Sequence, residues 1–516
     1  MGQWMDGYLQ RLDKVRAQNL EGGGKARLEV LRRFGKLTAR ERIYRLVDAG
    51  SFEEIGSVVE ESLPPLDGKA RPTPSDGVVM GFGEIDGRTA MVYAMDFSVM
   101  SGALGDQAVW KLADLTTMAG QRGVPIIGIF DSMGERLSFK DGGVGLNGLG
   151  QLLKNYSLYA GVIPRITLLL GPCTGVMAAL PVLSDFLLMS EENGFLWLGG
   201  EIATEDAGTA EFHMEKSGQC DILVQDDEEA IQKTKALLSY LPSSCWDLPV
   251  VRDSQDDPER RSPELLNVMP DNPKFTYDIH DVIDMIVDVG EFFELKEDFA
   301  NHLVVGFCRF GGRVAGIVAN NPDELSGILE PDSSDKYDRF MTFLNAFNIP
   351  LVTLVDTTAF PPGDRWERMG IIRHGAKLLH SYAHLTCPKI TVVLRRSYGG
   401  ANIVLGCSKM FPDFVYAWPS VEFAPTGPET VVHAVFHKEL AKAKEEGNYQ
   451  EVYDFFLGIL KEQFSVMNLA KKWTTYYTAH EVIDPRDTRP RIIKALKSLA
   501  NKREKLPEKR RSIKPA

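Results

Sequence analysis

Val124-Pro125-Ile126-Ile127-Gly128-Ile129-Phe130-Asp131-Ser132 returns 225 residues later as Ile349-Pro350-Leu351-Val352-Thr353-Leu354-Val355-Asp356-Thr357. In each copy a proline opens an apolar run that stops at an aspartate and a hydroxyl residue, the pattern of a strand buried on both faces. A second pair repeats at a spacing of 224: Ile163-Pro164-Arg165-Ile166-Thr167-Leu168-Leu169-Leu170, followed by Thr174-Gly175-Val176, matches Cys387-Pro388-Lys389-Ile390-Thr391-Val392-Val393-Leu394, followed by Tyr398-Gly399-Gly400. One fold is therefore written twice. Each copy reads as a buried strand, a loop, and a second buried strand ending in a small-residue turn that opens a helix. Backbone N–H groups at such a turn can meet a developing oxyanion, so two turns point to a reaction with two oxyanions.

Outward from these strands, residues 1–74 read as a helical arm. It is broken at Gly22-Gly23-Gly24 and restarted at Thr38, an N-cap with Glu41 as capping-box partner. Residues 75–245 form the first repeat, opening with strands around Gly77–Phe82 and Ala90–Ala94 and a helix after Gly105. The polar stretch 246–277, with Asp256-Asp257-Pro258-Glu259-Arg260-Arg261, reads as a linker. The second repeat, 278–500, holds a helical segment at Val282–Val289, a strand at Arg313–Asn320 and a charged helix around Lys438–Glu446; residues 501–516 form a basic tail.

A chain of 516 residues, 44% hydrophobic and 25% charged, has the composition of a globular protein with a substantial core. The formal charge of −13 argues against nucleic acid. Six cysteines without a C-x-x-C pair favour neither a zinc ribbon nor a disulfide framework, and no metal site is expected. The N-terminus lacks a basic-then-apolar leader and no apolar run reaches membrane-spanning length. A cytoplasmic protein is the expectation.

Several motifs resemble one family. Gly35-Lys36-Leu37-Thr38-Ala39-Arg40-Glu41-Arg42-Ile43, Gly171-Pro172-Cys173-Thr174-Gly175, Gly370-Ile371-Ile372-Arg373-His374-Gly375-Ala376-Lys377, Tyr398-Gly399-Gly400-Ala401, Cys407-Ser408-Lys409 and Tyr416-Ala417-Trp418-Pro419 resemble the carboxyltransferase (beta) subunit of biotin-dependent acyl-CoA carboxylases of the propionyl-CoA and acetyl-CoA type. The resemblance covers nearly the whole chain. It implies an α/β fold of two tandem crotonase-like domains behind the N-terminal helical arm, with a working site where the first domain of one subunit meets the second domain of another. It also implies a hexamer, a trimer of dimers. Biotin would be carried by a partner, because the chain holds neither a Met-Lys-Met biotinylation site nor a nucleotide-binding glycine loop; the partners would be biotin carboxylase and biotin carboxyl carrier subunits. Coenzyme A would enter as part of the substrate.

By the resemblance, Gly399, Gly400 and Ala401 hold the biotin oxygen, and Gly175 with Val176 the thioester oxygen, as charge appears on each in turn. Gly134, Arg136 and Ile403 would contact the acyl-CoA. The biotin nitrogen can take the α-proton, so no side-chain base is required.

The chain departs from the family pattern in several places. Val176 replaces a second glycine, and Met133-Gly134-Glu135-Arg136 replaces Gly-Gly-Ala-Arg. Asp356-Thr357-Thr358-Ala359-Phe360 replaces Asp-x-Pro-Gly-Phe, and Gly427-Pro428-Glu429-Thr430 replaces Gly-Ala-Glu-Gly. Ile403 stands where aspartate is common. An unusual acyl group and loss of carboxylation both remain open. So do a decarboxylase using the same steps in reverse and a non-catalytic structural paralogue. Glu135 reads as a surface or Arg136-paired carboxylate before it reads as a proton donor. His374 and His380 read as packing or hydrogen-bonding residues, and Cys173 as a small buried residue.

Overall fold

The repeated apolar runs become the central strands of two sheets in a computed structural model, which describes residues 3–61, 72–136, 146–199, 206–270, 272, 275–407, 410–472 and 479–515. Ser408 and Lys409 of the Cys407-Ser408-Lys409 motif lie outside the described residues. The chain divides into two compact units, Met1–Asp247 and Leu248–Ala516.

The first unit contains β1 (Glu53–Glu54), β2 (Val78–Ile85), β3 (Arg88–Met95), β4 (Ile126–Ser132), β5 (Arg165–Thr174), β6 (Phe186–Ser190), β7 (Phe195–Trp197) and β8 (Ile222–Val224). Their order is β1-β2-β3-β4-β5-β6-β8, with β7 on the far end of β5. The β2–β3 hairpin is antiparallel, whereas β3 through β8 run parallel through crossover connections. The crossover helix Asp106–Arg122 buries Val109, Leu112, Leu115 and Ala119 in one cluster with Met91, Tyr93, Ile126 and Phe130.

The second unit repeats this order with β9 (Phe292–Leu295), β10 (Leu303–Phe310), β11 (Arg313–Asn320), β12 (Leu351–Thr357), β13 (Lys389–Tyr398), β14 (Phe414–Ala417), β15 (Glu422–Ala424) and β16 (Glu481–Val482). Here β15 takes the place of β7 and pairs the far end of β13. Between β15 and β16 the unit adds the helices Pro428–Val435, His437–Glu446 and Tyr449–Phe464, which close on a satellite core of Val432, Leu440 and Leu460.

The duplication extends to buried polar groups. Lys111, on helix Asp106–Arg122, donates to the carbonyls of Ser75 and Val78 at 2.8 and 2.7 Å. Lys336, on helix Pro331–Ala346, stands 225 positions later and donates to the carbonyls of Lys296 and Phe299 at 2.8 and 2.7 Å. Burial lowers both ammonium groups, to about 8 and about 7. A lysine at this position does local work in each half, satisfying two backbone carbonyls.

Thr38 forms the expected capping box with Glu41, and helix Ala39–Leu46 packs on its own unit with Ile43 and Leu46 fully buried. The stretch read as a linker continues into the second unit, where Arg260 donates to the carbonyls of Met285 and Val287. Among the described residues, no helix is long and apolar enough to cross a membrane.

At the start of helix Ile279–Ile286, His280 touches Glu294 at 2.8 Å and Asp278 at 2.6 Å. The Glu294 hydrogen bond, opposed by burial, raises the imidazole to about 9. A raised folded-state pKa stabilises fully below the unfolded value of about 6.5 and is lost as pH rises through the folded value. The denaturation midpoint of the wild type should therefore fall more steeply between about pH 6.5 and 9 than that of His280→Gln, measured by urea titration across that window.

Candidate active site

The site begins where two central strands lose register. Between Phe130 and Ser132 of β4 only Asp131 intervenes, while the paired residues Leu169 and Cys173 of β5 are separated by Leu170, Gly171 and Pro172. The same mismatch recurs between Val355/Thr357 of β12 and Val393/Ser397 of β13. A bulge of this kind bends the strand and redirects the segment beyond it. Past the bulge, β5 leaves β6 for β7 and β13 leaves β14 for β15. The residues delivered at the ends of these redirected segments are Gly175 and Gly399.

Each bulge encloses a buried aspartate. Asp131 accepts from Lys36 Nζ at 2.9 Å and from Arg42 Nη1 at 3.0 Å. Arg42 also donates to Asp227 at 2.8 Å; burial opposes its charge, but Asp227 and Asp131 outweigh that and hold the guanidinium above its usual range. Asp356 accepts from Arg395 Nε at 2.9 Å and from Arg396 Nε at 2.8 Å. The cations come from the helical arm in the first half and from the bulged strand itself in the second. Gly171 occupies the position of Arg395, and a Cβ there would come within 1.9 Å of Asp131 Oδ1.

The turns at the ends of β5 and β13 match residue for residue. Gly175 and Gly399 are half-buried with φ of +73° and +60°, Val176 and Gly400 are exposed, and Met177 and Ala401 are buried. Both glycines hold the left-handed conformation that costs other residues energy. The peptide groups of Gly175–Val176 and Gly399–Gly400 thus stand at the surface of their units at the opening of a helical turn, where first-turn N–H groups lack helical acceptors.

In the first unit the turn is backed by the loop after β4. Thr174 Oγ1 donates to the Met133 carbonyl at 2.9 Å, Leu104 N donates to the Gly134 carbonyl at 3.0 Å, and a Cβ on Gly134 would lie 2.8 Å from the Thr174 carbonyl. Arg136 faces away from the turn: Nη1 meets Glu61 at 2.5 Å and Asp76 at 2.6 Å, and Nη2 donates to the Ala103 carbonyl at 2.9 Å. The expected Glu135–Arg136 pair does not form. The Glu135 carboxylate instead lies against Gly175, with Oε2 3.0 Å from the site of a Cβ and Oε1 buried without a hydrogen-bond partner among the described residues. Cys173 is fully buried, and burial, then the Glu135 charge, push its thiol well up, which disfavours the thiolate.

In the second unit Phe360 is wedged beside the turn, its ring 3.4 Å from a Cβ on Gly400 and 3.4 Å from one on Gly375 of helix Ile371–Ala383. Phe360 closes the altered loop after Asp356; the motif marked that loop but not the place of the ring beside the turn. Tyr398 anchors the end of β13 by donating to Glu422 at 2.6 Å. Ile403 is 46% exposed, which removes core packing as the reason for an apolar residue there. His374 contacts Asp335 at 2.9 Å, and His380 stacks on His384 with ring centroids 4.1 Å apart. Among the described residues no His, Cys, Asp and Glu cluster could hold a metal.

The chain is similar to known proteins along nearly its whole length. The carboxyl transferase domain family matches residues 32–513. The propionyl-CoA carboxylase beta chain of Roseobacter denitrificans is 36% identical, covering 98% of this chain and 99% of its own. The methylmalonyl-CoA decarboxylase subunit alpha of Propionigenium modestum is 35% identical, covering 97% of this chain and 98% of its own. A crystal structure of transcarboxylase 12S, a hexamer with methylmalonyl-coenzyme A bound, superposes with a TM-score of 0.92 at 36% identity, covering 99% of this chain and 98% of that one. Fold and turns thus define an α/β enzyme of the crotonase-like kind. The chain belongs to the carboxyl transferase family and is a carboxyltransferase of the acyl-CoA carboxylase or methylmalonyl-CoA decarboxylase type.

Asp356 is fully buried and is the carboxylate that Arg395 and Arg396 share. Asp356→Ala should destabilise the second unit by about 3–5 kcal/mol through the uncompensated guanidinium groups, read as a lowered urea midpoint.

Proposed function

We propose that this chain moves a carboxyl group between a biotin carried by a partner subunit and the α-carbon of an acyl-CoA. One observation carries the reading: the same glycine-opened turn is presented after the same bulge in both halves, giving two backbone cradles for a reaction that moves charge onto two oxygens. Biotin would supply the transferable carboxyl group and a ring nitrogen able to take a proton. The residues present suit its planar polar head: a Cβ on Gly399 would press on the Pro425 carbonyl at 3.2 Å, and Gly400 leaves its face open beside the Phe360 ring, so the cradle is all backbone with an aromatic wall.

In this reading the N–H groups of Gly399, Gly400 and Ala401 hold the biotin oxygen, and those of Gly175 and Val176 hold the thioester oxygen. Fixed donors stabilise charge without reorganising, and one lost donor costs about 3–4 kcal/mol of barrier. Gly134 lies behind the thioester turn. Arg136 serves by anchoring that loop, and Ile403 and Val176, both exposed, would border the acyl chain. Biotin carboxylase and biotin carrier subunits would be the partners. A hexamer like that of transcarboxylase 12S would bring the first turn of one protomer to the second turn of another, in the cytoplasm. A decarboxylase would use the same cradles in reverse; the relatives include both types at 36% and 35% identity, so direction is left to assay.

Purified chain mixed with methylmalonyl-CoA and free biotin should transfer labelled carboxyl to biotin; failure with every malonyl-type ester would overturn the assignment. Gly400→Val should abolish this transfer while assembly by size-exclusion chromatography is retained. Val176→Gly should alter the relative kcat/KM among acetyl-, propionyl- and butyryl-CoA in the carboxylation assay, and an unchanged ranking would place Val176 outside the acyl pocket.

A further inference from the structure

We infer that Glu135 is a catalytic proton acceptor for the α-carbon of the bound acyl-CoA, giving the chain an α-hydrogen exchange activity that needs no biotin. The inference rests on the proposed thioester cradle at Gly175 and Val176.

Three observations meet at this carboxylate. Oε2 lies 3.0 Å from where a Gly175 side chain would start, so it borders the peptide group assigned to the thioester oxygen. Among the described residues Oε1 is buried without a hydrogen-bond partner, and the adjacent cation in sequence, Arg136, is engaged by Glu61 and Asp76. The backbone around it is held on both sides, by Leu104 N donating to the Gly134 carbonyl and Arg136 N donating to the Leu104 carbonyl at 2.8 Å. A carboxylate with an unused oxygen, fixed beside an oxyanion cradle, is poorly explained as a structural ion pair.

Charge favours the catalytic role over a bystander one. A carboxylate that stayed ionised beside the cradle would repel the enolate forming there. One that accepts the α-proton becomes neutral as the enolate appears, so the repulsion is discharged in the same step. The α-carbon is bonded to the carbonyl carbon whose oxygen the cradle holds, which brings its hydrogen close to a group bordering Gly175. The C–H bond breaks, the proton passes to Glu135, and the electron pair moves onto the thioester oxygen at the Gly175 and Val176 amides. Reversal with a solvent-derived deuteron completes the exchange, with no net oxidation and no co-reactant beyond water.

The test uses the full chain with propionyl-CoA in D2O and no biotin, following α-hydrogen loss by NMR and mass spectrometry. The wild type should exchange, Glu135→Gln should slow exchange at least about 100-fold while binding propionyl-CoA within about threefold of wild type, and Glu135→Asp should restore part of the rate. Exchange at the wild-type rate in Glu135→Gln overturns the inference, as does a wild type that exchanges nothing. Carboxyl transfer from methylmalonyl-CoA to free biotin is measured on the same wild-type preparation. Transfer with exchange indifferent to Glu135 removes the role of this residue alone, whereas absence of transfer to biotin removes the function beneath it.

Discussion

Asp131 and Asp356 sit fully buried where parallel strands fall out of register, and the rest of each half is arranged around them. An unpaired carboxylate at such depth would cost several kcal/mol, so each needs cations, and their source decides how the site is built. In the second half Arg395 and Arg396 project from the bulged strand, and the ion pairs themselves hold the bulge open. In the first half the bulged strand has only Gly171 to offer, and Lys36 and Arg42 come from the N-terminal region instead. The segment of the arm that carries Lys36, Arg42, Ile43 and Leu46 is thereby part of the first unit's interior. Arg42 ties Asp131 to Asp227 and donates to the Leu170 carbonyl, joining the arm, the bulge and the start of helix Asp227–Tyr240.

The backbone around these aspartates is constrained as tightly as their side chains. Met100, Ser101 and Gly102 have positive φ, and Leu325, Ser326 and Gly327 repeat them at a spacing of 225. A Cβ on Gly102 would lie 2.1 Å from the Asp131 carbonyl, and one on Gly327 would lie 2.8 Å from the Asp356 carbonyl. Glycine is needed because another chain segment passes at backbone distance, and strained conformations persist only where surroundings over-determine them. The same positive-φ run, closed by a glycine against the aspartate's carbonyl, thus recurs in both halves.

Much of this was legible in the sequence because the repeat supplies its own control. A single Pro-apolar-Asp run is ambiguous, but its return at 225 residues, followed by a glycine turn returning at 224, identified the two strands and the turn together, while the bulge between them came only with the structure. Thr38 with Glu41 was legible for the opposite reason, being a purely local device. What escaped were pairings across long separations: Arg42 with Asp227 spans 185 positions and Arg136 with Asp76 spans 60. Proximity in sequence suggested Glu135 with Arg136, yet side chains of adjacent residues on an extended segment point to opposite faces. Phe360 was equally hidden, because its role depends on two glycines, Gly375 and Gly400, that the fold alone brings to its ring.

The two turns share their backbone conformation but differ in side chains, Val176 against Gly400, and in surroundings. Around Gly399 and Gly400 the neighbours are a carbonyl, Pro425, and an aromatic ring, Phe360, both neutral. Around Gly175 they are a carboxylate, Glu135, and an exposed isopropyl group, Val176. If the first turn merely filled space, substitution there would drift toward better packing, and a carboxylate with an unpartnered oxygen would be among the first groups removed. Its placement against Gly175, with Arg136 drawn off to Glu61 and Asp76, is the feature on which the proposed proton transfer at the first turn rests.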